Sequence, residues 1–132
     1  MIVIDASAAV EFLIRNGDRG RWLADRLAQE YTVHVPALFD LEVLQSLRGL
    51  EAGRTVPGGV LTAALARLIE LRATRHHHEQ LRGRIWSLRH NLTAYDAAYV
   101  ALAEALDAPL ITTDVALSRA SVHEARVEMP PV

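Results

Sequence analysis

The stretch Ile2-Val3-Ile4-Asp5-Ala6 shows the pattern that decides the fold, because a short apolar strand ends in an acid and passes directly into a helix. Short apolar segments recur along the chain, and longer segments with helical periodicity separate them. Helices that alternate with brief apolar strands predict a parallel sheet covered on both faces. We therefore expect an α/β fold.

The predicted elements follow this alternation along the chain. Strands are predicted at 2–4, 33–35, 73–75, 110–112 and 126–128. Helices are predicted at 7–14, 19–29, 38–52, 59–71, 79–90, 93–106 and 115–119. The sequence shows no repeat or linker, and its breaker-rich segment at 53–59 is interpreted as a loop between helices. We expect a single domain spanning 1–132.

Composition excludes several classes of enzyme. The absence of cysteine excludes disulfides, thiolate catalysis and cysteine-based zinc sites. All 14 basic residues are arginine, so mechanisms that need a lysine are excluded as well. These include P-loop NTPases, Schiff-base enzymes and receiver domains.

The distribution of charge and hydrophobicity predicts a soluble, cytoplasmic protein with no membrane segment. An acid follows the first four residues, and the basic region and long apolar run of a signal peptide are missing. No stretch reaches the ~18 apolar residues that span a bilayer. The net charge of −2 argues against a nucleic-acid binder of the basic-patch type.

Four acids are predicted to meet at one edge of the sheet. Asp5 follows the first strand directly, and Asp114 follows a later strand by two residues. Glu42 and Asp96 lie in the first turns of predicted helices. Strand carboxyl ends and helix amino ends share one edge of a doubly wound sheet, and ligands bind there. We therefore expect all four carboxylates on that edge.

Two interpretations of these acids remain open at this stage. Each acid separately can stabilise a helix amino terminus, Asp114 as an N-cap and Asp96 within a variant of the capping box. Four acids held together, however, repel one another unless a cation neutralises them. Carboxylate and water ligands suit Mg²⁺ or Mn²⁺, and no Cys/His set competes with them.

Asp40 and Glu42 compete for one place in this set. Two residues apart on a helix, they point about 200° away from each other, so only one of them can face the site. Periodicity alone does not choose between them. The polar neighbours of Glu42 favour it, and Asp40 is interpreted as a partner of the helix dipole.

Other polar and aromatic residues are weaker candidates. In the histidine run 76–78 adjacent side chains diverge, so only His76 and His78 could cooperate on a strand, and we expect a surface or substrate-side role. Tyr95 and Tyr99 are expected in the core. Three hydroxyl residues beside the acids could hydrogen-bond a metal-bound water or serve as ordinary caps, and the choice stays open: Ser7, Thr112 and Thr113.

Four ordered segments, 3–8, 36–43, 88–99 and 110–114, resemble the PIN-domain family and, within it, the VapC toxins. The matching acids are Asp5, Glu42, Asp96 and Asp114. The resemblance runs nearly end to end and independently selects Glu42 over Asp40. The arginine-only composition and the histidine run are not family signatures.

The resemblance implies a fold, an activity and partners. The fold is a three-layer α/β/α sandwich with a short, mainly parallel five-stranded sheet. The activity is hydrolysis of phosphodiester bonds in RNA by the toxin of a type II toxin–antitoxin system, and the four acids act as catalytic groups and Mg²⁺ ligands, with Mn²⁺ as a substitute. The expected partners are the RNA substrate, a VapB-type antitoxin and a second copy in a homodimer.

Two other functions compete with this one. Another Mg²⁺-dependent phosphohydrolase, such as a phosphatase, would use an Asp-x-Asp pair, but position 7 is serine. A non-catalytic PIN-like module would bind RNA or protein without cleaving it. Acids at all four positions argue against that loss of catalysis.

Overall fold

The computed structural model describes residues 1–15, 17–120 and 123–131. Its sheet has five parallel strands in the order β3-β2-β1-β4-β5. The strands are β1 (Ile2–Ile4), β2 (Val33–Pro36), β3 (Thr74–His76), β4 (Leu110–Ile111) and β5 (Val127–Glu128). Every predicted strand is confirmed, with bounds that agree within one residue.

Helices cover both faces of this sheet, so the predicted three-layer α/β/α architecture is confirmed. They are α1 (Ala6–Leu13), α2 (Gly17–Ala28), α3 (Phe39–Ala52), α4 (Gly58–Glu70), α5 (Arg82–Ser87), α6 (Ala94–Leu106) and α7 (Val115–Arg119). The first four pack mainly on one another, whereas α6 packs on the sheet and carries α5. Across the described ranges, every helix is too short or too polar to cross a membrane.

The central strand and α6 form the middle of the core. All three residues of β1 are buried, as are the seven consecutive residues 97–103 of α6. Five of these seven positions are alanine or valine, and small side chains allow a helix to approach a sheet closely. This packing fixes the amino terminus of α6 at the sheet edge where the acids lie.

The predicted helix 79–90 is wrong as a single element. A 3₁₀ turn (Glu79–Leu81) precedes α5, which ends at Ser87. The Ser87 hydroxyl donates to the Arg84 carbonyl at 2.6 Å, and the Leu88 amide is shared between the carbonyls of Arg84 and Ile85. These bonds compete with the regular helical pattern, so the helix ends there. The other six predicted helices agree within two residues.

Arg26 of α2 anchors the short edge strand β5. Its Nε and Nη2 donate to the two carboxylate oxygens of Glu128 at 2.7 and 3.2 Å, and its Nη1 donates to Glu30 at 2.6 Å. The Arg26 side chain is only 16% exposed. This bidentate pair adds to the backbone hydrogen bonds by which the two-residue strand β5 pairs with β4.

We expect Arg26→Ala to lower the free energy of unfolding by about 1 to 2 kcal/mol, because two carboxylates lose a partly buried donor. The matched control is Arg21→Ala, whose ion pair with Asp18 is exposed on both sides. An exposed pair of this kind contributes less than about 0.5 kcal/mol. Urea unfolding of both variants measures the difference, and equal losses would contradict the role given to Arg26.

Candidate active site

The four predicted acids line one cleft of about 490 Å³ at the carboxyl edge of the sheet. Asp5 directly follows β1, and Asp114 lies between β4 and α7. Glu42 and Asp96 occupy the first turns of α3 and α6. The structure therefore brings together all four carboxylates, which are separated by up to 109 positions in sequence.

Asp5 is the most enclosed of the four. Its side chain is buried, and its Oδ1 accepts hydrogen bonds from the Ser7 hydroxyl at 2.7 Å and the Ala8 amide at 3.0 Å. Its Oδ2 accepts a hydrogen bond from the buried Thr112 hydroxyl. A carboxylate has about four lone-pair sites, so Oδ2 keeps one free for a ligand.

Burial raises the pKa of Asp5 from 3.8 to about 6. The hydrogen bonds from Ala8, Thr112 and Ser7 oppose this rise, and the charge of Asp96 adds to it. Removal of the carboxylate from water therefore outweighs three favourable donors. In the absence of a cation, much of the Asp5 population is protonated near pH 6.

Glu42 and Asp96 show the same effect more weakly. Burial raises the pKa of Glu42, the nearby Tyr99 hydroxyl opposes this rise, and Asp96 adds to it. Burial also raises the pKa of Asp96, with a further contribution from the charge of Asp114. The Tyr99 hydroxyl is buried and meets no partner in hydrogen-bonding geometry among the described residues. The cleft thus holds acids whose negative charges disfavour one another.

The helix-capping interpretation is confirmed for three residues around the cleft. Asp5 is the N-cap of α1, and Thr93 is the N-cap of α6 through a 3.1 Å bond from the Asp96 amide. Asp114 caps α7, because its Oδ1 accepts from the amides of Ala116 and Leu117 at 2.9 and 3.2 Å. Within the described ranges no donor reaches the Asp114 Oδ2. Capping therefore uses the Oδ1 of Asp5 and of Asp114 and leaves their Oδ2 atoms out of the cap.

The carboxylate oxygens of the cleft suit a hard divalent cation, although the acids are widely spaced. No three histidine or acidic side chains in the described part of the chain stand close enough to hold one ion as they are placed. Mg²⁺ usually keeps several waters and uses one or two protein carboxylates, so a fully protein-made cage is not required. The oxygen donors and their raised pKa values are compatible with such an ion.

The hydroxyl residues beside the acids hold the cleft wall together. The Ser7 hydroxyl accepts a 3.1 Å bond from the Thr113 amide while it donates to Asp5. The Thr112 hydroxyl likewise accepts a 3.0 Å bond from the Asp114 amide. Ser7 and Thr112 thus take the local structural role that was one of their two predicted alternatives.

Comparison with known proteins agrees with this arrangement. Residues 2–122 match the family model described as "PIN domain".

The chain belongs to the PIN-domain family.

Ribonuclease VapC9 of Mycobacterium tuberculosis is 39% identical over 131 residues, which cover 99% of each chain. Ribonuclease VapC12 of the same organism is 38% identical over 129 residues, 98% of each chain. Among solved structures, VapBC2 from Rickettsia felis bound to a promoter DNA fragment superposes with a TM-score of 0.67 at 14% identity and 98% coverage of both chains. This last likeness concerns the fold alone.

Asp40 of this PIN domain lies outside the cleft. It is in the first turn of α3, as predicted, but its main partner is Arg75 of β3, whose Nε and Nη2 donate at 2.5 and 2.8 Å. Hydrogen bonds from Arg75 lower the pKa of Asp40. The expected separation of Asp40 from Glu42 is observed, and the ion pair with Arg75 is an addition that the sequence did not predict.

The outer two histidines of the run contact different parts of the described structure. His76 Nε2 lies 2.8 Å from Nδ1 of His34 on the neighbouring strand, and His78 Nε2 accepts a 3.3 Å bond from the Leu38 amide. His76 and His78 therefore have separate partners, and His77 is exposed. Burial lowers the pKa of His34, and His76 adds to this effect. The contact of His34 with His76 was not predicted from the sequence because the two residues are 42 positions apart.

The expectation for Tyr95 is wrong, whereas that for Tyr99 is confirmed. Tyr99 is buried in the core at 1% exposure, but Tyr95 is 62% exposed and lines the cleft. The two residues share a helix face, yet Tyr95 is in the first turn of α6, before the buried segment 97–103 begins. The position of Tyr95 next to Asp96 in the sequence could have indicated that it lies at the site.

The raised pKa of Asp5 predicts a pH-dependent stability in EDTA. The folded pKa of about 6 exceeds the unfolded value of 3.8, so the native state binds this proton more tightly. The free energy of unfolding should therefore fall as the pH rises through this window. Asp5→Asn keeps a capping oxygen but has no charge. Its free energy of unfolding should therefore exceed that of wild type at pH 7.5 by on the order of 2 kcal/mol, and by less at pH 5.

Urea unfolding at pH 5, 6 and 7.5 measures this difference. Asp25→Asn, which removes an exposed carboxylate of α2, controls for the general effect of net charge. A constant difference between Asp5→Asn and wild type across this range would contradict the assignment of the raised pKa to Asp5.

Proposed function

We propose that the chain is a divalent-metal-dependent endoribonuclease and the toxin of a type II toxin–antitoxin pair. Its strongest support is the 39% identity, over nearly the whole chain, to a protein named as a VapC ribonuclease. The cleft adds a chemical reason, because Asp5, Glu42, Asp96 and Asp114 offer only carboxylate oxygens to a ligand. We assign all four acids as ligands of Mg²⁺, with Mn²⁺ as a substitute.

The bound ion would lower the pKa of a water molecule and neutralise the charge that develops on the scissile phosphate. The protein residues supply position and charge. Asp5 is held rigidly by Ser7, Ala8 and Thr112, so its free Oδ2 lone pair has a fixed direction. Asp114 is fixed through its Oδ1 and presents its Oδ2. This preorganisation avoids the cost of ordering ligands when the substrate binds.

The electrostatics of the cleft explain why a cation would be needed for the scissile phosphate to enter it. An RNA phosphate would be repelled by several acids, and those acids already raise one another's pKa. A divalent ion neutralises part of this negative charge and would offer a phosphate oxygen a positive centre to approach. The overall net charge of −2 is therefore compatible with an RNA substrate.

The alternative phosphatase function is weakened by the contacts of Ser7. A phosphatase of the Asp-x-Asp type would need a second carboxylate at this position. The Ser7 hydroxyl instead donates to Asp5 and accepts from Thr113, so it is committed to the wall of the cleft. A non-catalytic binding module remains the second candidate, and only an activity measurement distinguishes it.

We further propose a VapB-type antitoxin and a second copy of the chain as partners. Two structural neighbours are named as a toxin–antitoxin complex from Klebsiella pneumoniae and as VapBC2 from Rickettsia felis. The chain itself exposes large apolar side chains along α3 and α4, a surface typical of protein interfaces. They are Leu41, Leu44, Leu65 and Ile69.

Asp96→Asn should abolish Mn²⁺-dependent cleavage of total RNA and leave the far-UV circular dichroism spectrum unchanged. The cap of α6 uses the backbone amide of residue 96, so it survives the substitution. In EDTA the variant should have a higher melting temperature than wild type, because repulsion between the acids worth on the order of 1 kcal/mol is relieved. It should also lose most of the stabilisation that Mn²⁺ gives wild type.

Asp40→Asn is the matched control, because Asp40 is an acid of α3 that lies outside the cleft and pairs with Arg75. It should retain cleavage and the response to Mn²⁺. Full cleavage by Asp96→Asn would exclude Asp96 from the site. A wild-type protein that binds Mn²⁺ but cleaves no RNA would favour the non-catalytic module.

A further inference from the structure

A segment free of acids leads from α5 to the cleft. Residues 80–95 contain three arginines and one histidine but no aspartate or glutamate, within a chain whose net charge is −2. Arg84 is neutralised by Glu104, to which it donates twice at 3.1 Å. Arg82 and Arg89 form no ion pair with any residue that the structure describes. Two positive charges are therefore available to a ligand on this surface.

An exposed aromatic ring lies between these charges. Trp86 is 67% exposed, and the Arg89 guanidinium stands 4.4 Å from its ring centroid. Arg89 is held there by a 2.9 Å bond from its Nη1 to the Trp86 carbonyl. Arg82 precedes Trp86 by four positions on α5, so the two side chains share a helix face. We call Arg82, Trp86 and Arg89 the α5 strip.

The α5 strip is connected to the acid cleft. Helix α5 packs on α6, and the chain between them is folded into short turns, with the Arg89 amide bonded to the Trp86 carbonyl and the Leu92 amide to the Leu88 carbonyl. The first turn of α6 then presents Tyr95, which is 62% exposed and lines the cleft beside Asp96. Exposed aromatic rings therefore occur in the middle of this basic segment and at its end beside the cleft.

We propose that the α5 strip and Tyr95 form a track for single-stranded RNA that leads into the cleft. Trp86 and Tyr95 stack on bases, and Arg82 and Arg89 contact phosphates. Aromatic platforms interleaved with guanidinium groups are the means by which proteins bind single strands without reading their sequence. A duplex keeps its bases stacked internally and cannot use such platforms, so the track selects single strands.

The charges favour RNA over a second copy of the chain as the occupant. A protein partner would have to bring carboxylates to Arg82 and Arg89, and the strip has none of its own to reciprocate. A single strand supplies a phosphate and a flat base with every nucleotide. The choice of RNA as the occupant rests on the proposed function. The binding itself is a separate property, which can be measured without cleavage.

The test measures the binding of a fluorescein-labelled, mixed-sequence RNA by fluorescence anisotropy in EDTA. The RNA has about 12 nucleotides, which is within the usual site size of single-strand binders. Trp86→Ala and Arg89→Ala should each weaken binding roughly fivefold or more, as the loss of one stacked base does. Tyr31→Ala and Arg72→Ala are matched controls, because both residues are exposed and precede β2 and β3 at the opposite edge of the sheet. These two variants should bind within about twofold of wild type.

Tryptophan fluorescence gives an independent measurement that does not remove the ring. Trp22 and Trp86 are the two tryptophans of the chain, so Trp22→Phe reports on Trp86 alone. Saturation with the single strand should quench this emission, whereas an RNA duplex of equal length should quench it much less. This readout still tests the track if Trp86→Ala fails to fold.

Two results would overturn the track: unchanged affinity in both Trp86→Ala and Arg89→Ala, or Trp86 emission that RNA does not alter. Conversion of Trp86→Ala to a smaller species in light scattering, with RNA affinity unchanged, would identify the strip as a contact between copies and would also reject the track. Strip-dependent binding by a wild-type protein that cleaves nothing with Mn²⁺ would refute only the proposed nuclease.

Discussion

The buried carboxylate of Asp5 joins the central strand β1 to its neighbour β4 at the point where the cleft begins. Parallel pairing sets Ile4 beside Ile111, so the next residues, Asp5 and Thr112, meet and form a hydrogen bond. The Thr112 hydroxyl in turn accepts from the Asp114 amide, which places the cap of α7. A shift of this register by one residue would separate two of the four acids and break the wall of the cleft.

Capping and ligand binding are compatible roles for the same acid. Asp5 and Asp114 each direct Oδ1 towards backbone amides, which satisfies helix amino termini and fixes the carboxylate. The Oδ2 atoms take no part in capping: that of Asp5 accepts from Thr112, and that of Asp114 has no donor among the described residues. Stability gained at the caps offsets part of the cost of holding like charges together, and a bound cation would relieve the remainder.

The sequence predicted the features that depend on local pattern. The strands and the common edge of Asp5 and Asp114 follow from short apolar runs and from the geometry of parallel sheets. One missed feature depends on residues far apart in sequence, namely the pairing of His34 with His76. Tyr95 was misplaced because periodicity gives the face of a helix but not where its buried part begins. The break in helix 79–90 arises from hydrogen bonds of Ser87, which periodicity does not register.

The central claim, that the acids of one cleft share a cation, is tested most directly by the protons released when Mn²⁺ binds. Calorimetric titrations at pH 6 and pH 8, each in two buffers of different ionisation enthalpy, give this number. Because the pKa of Asp5 is about 6 without metal, roughly half a proton or more should leave per ion at pH 6, and nearly none at pH 8. Binding without proton release at pH 6, or with equal release at both values, would contradict the account.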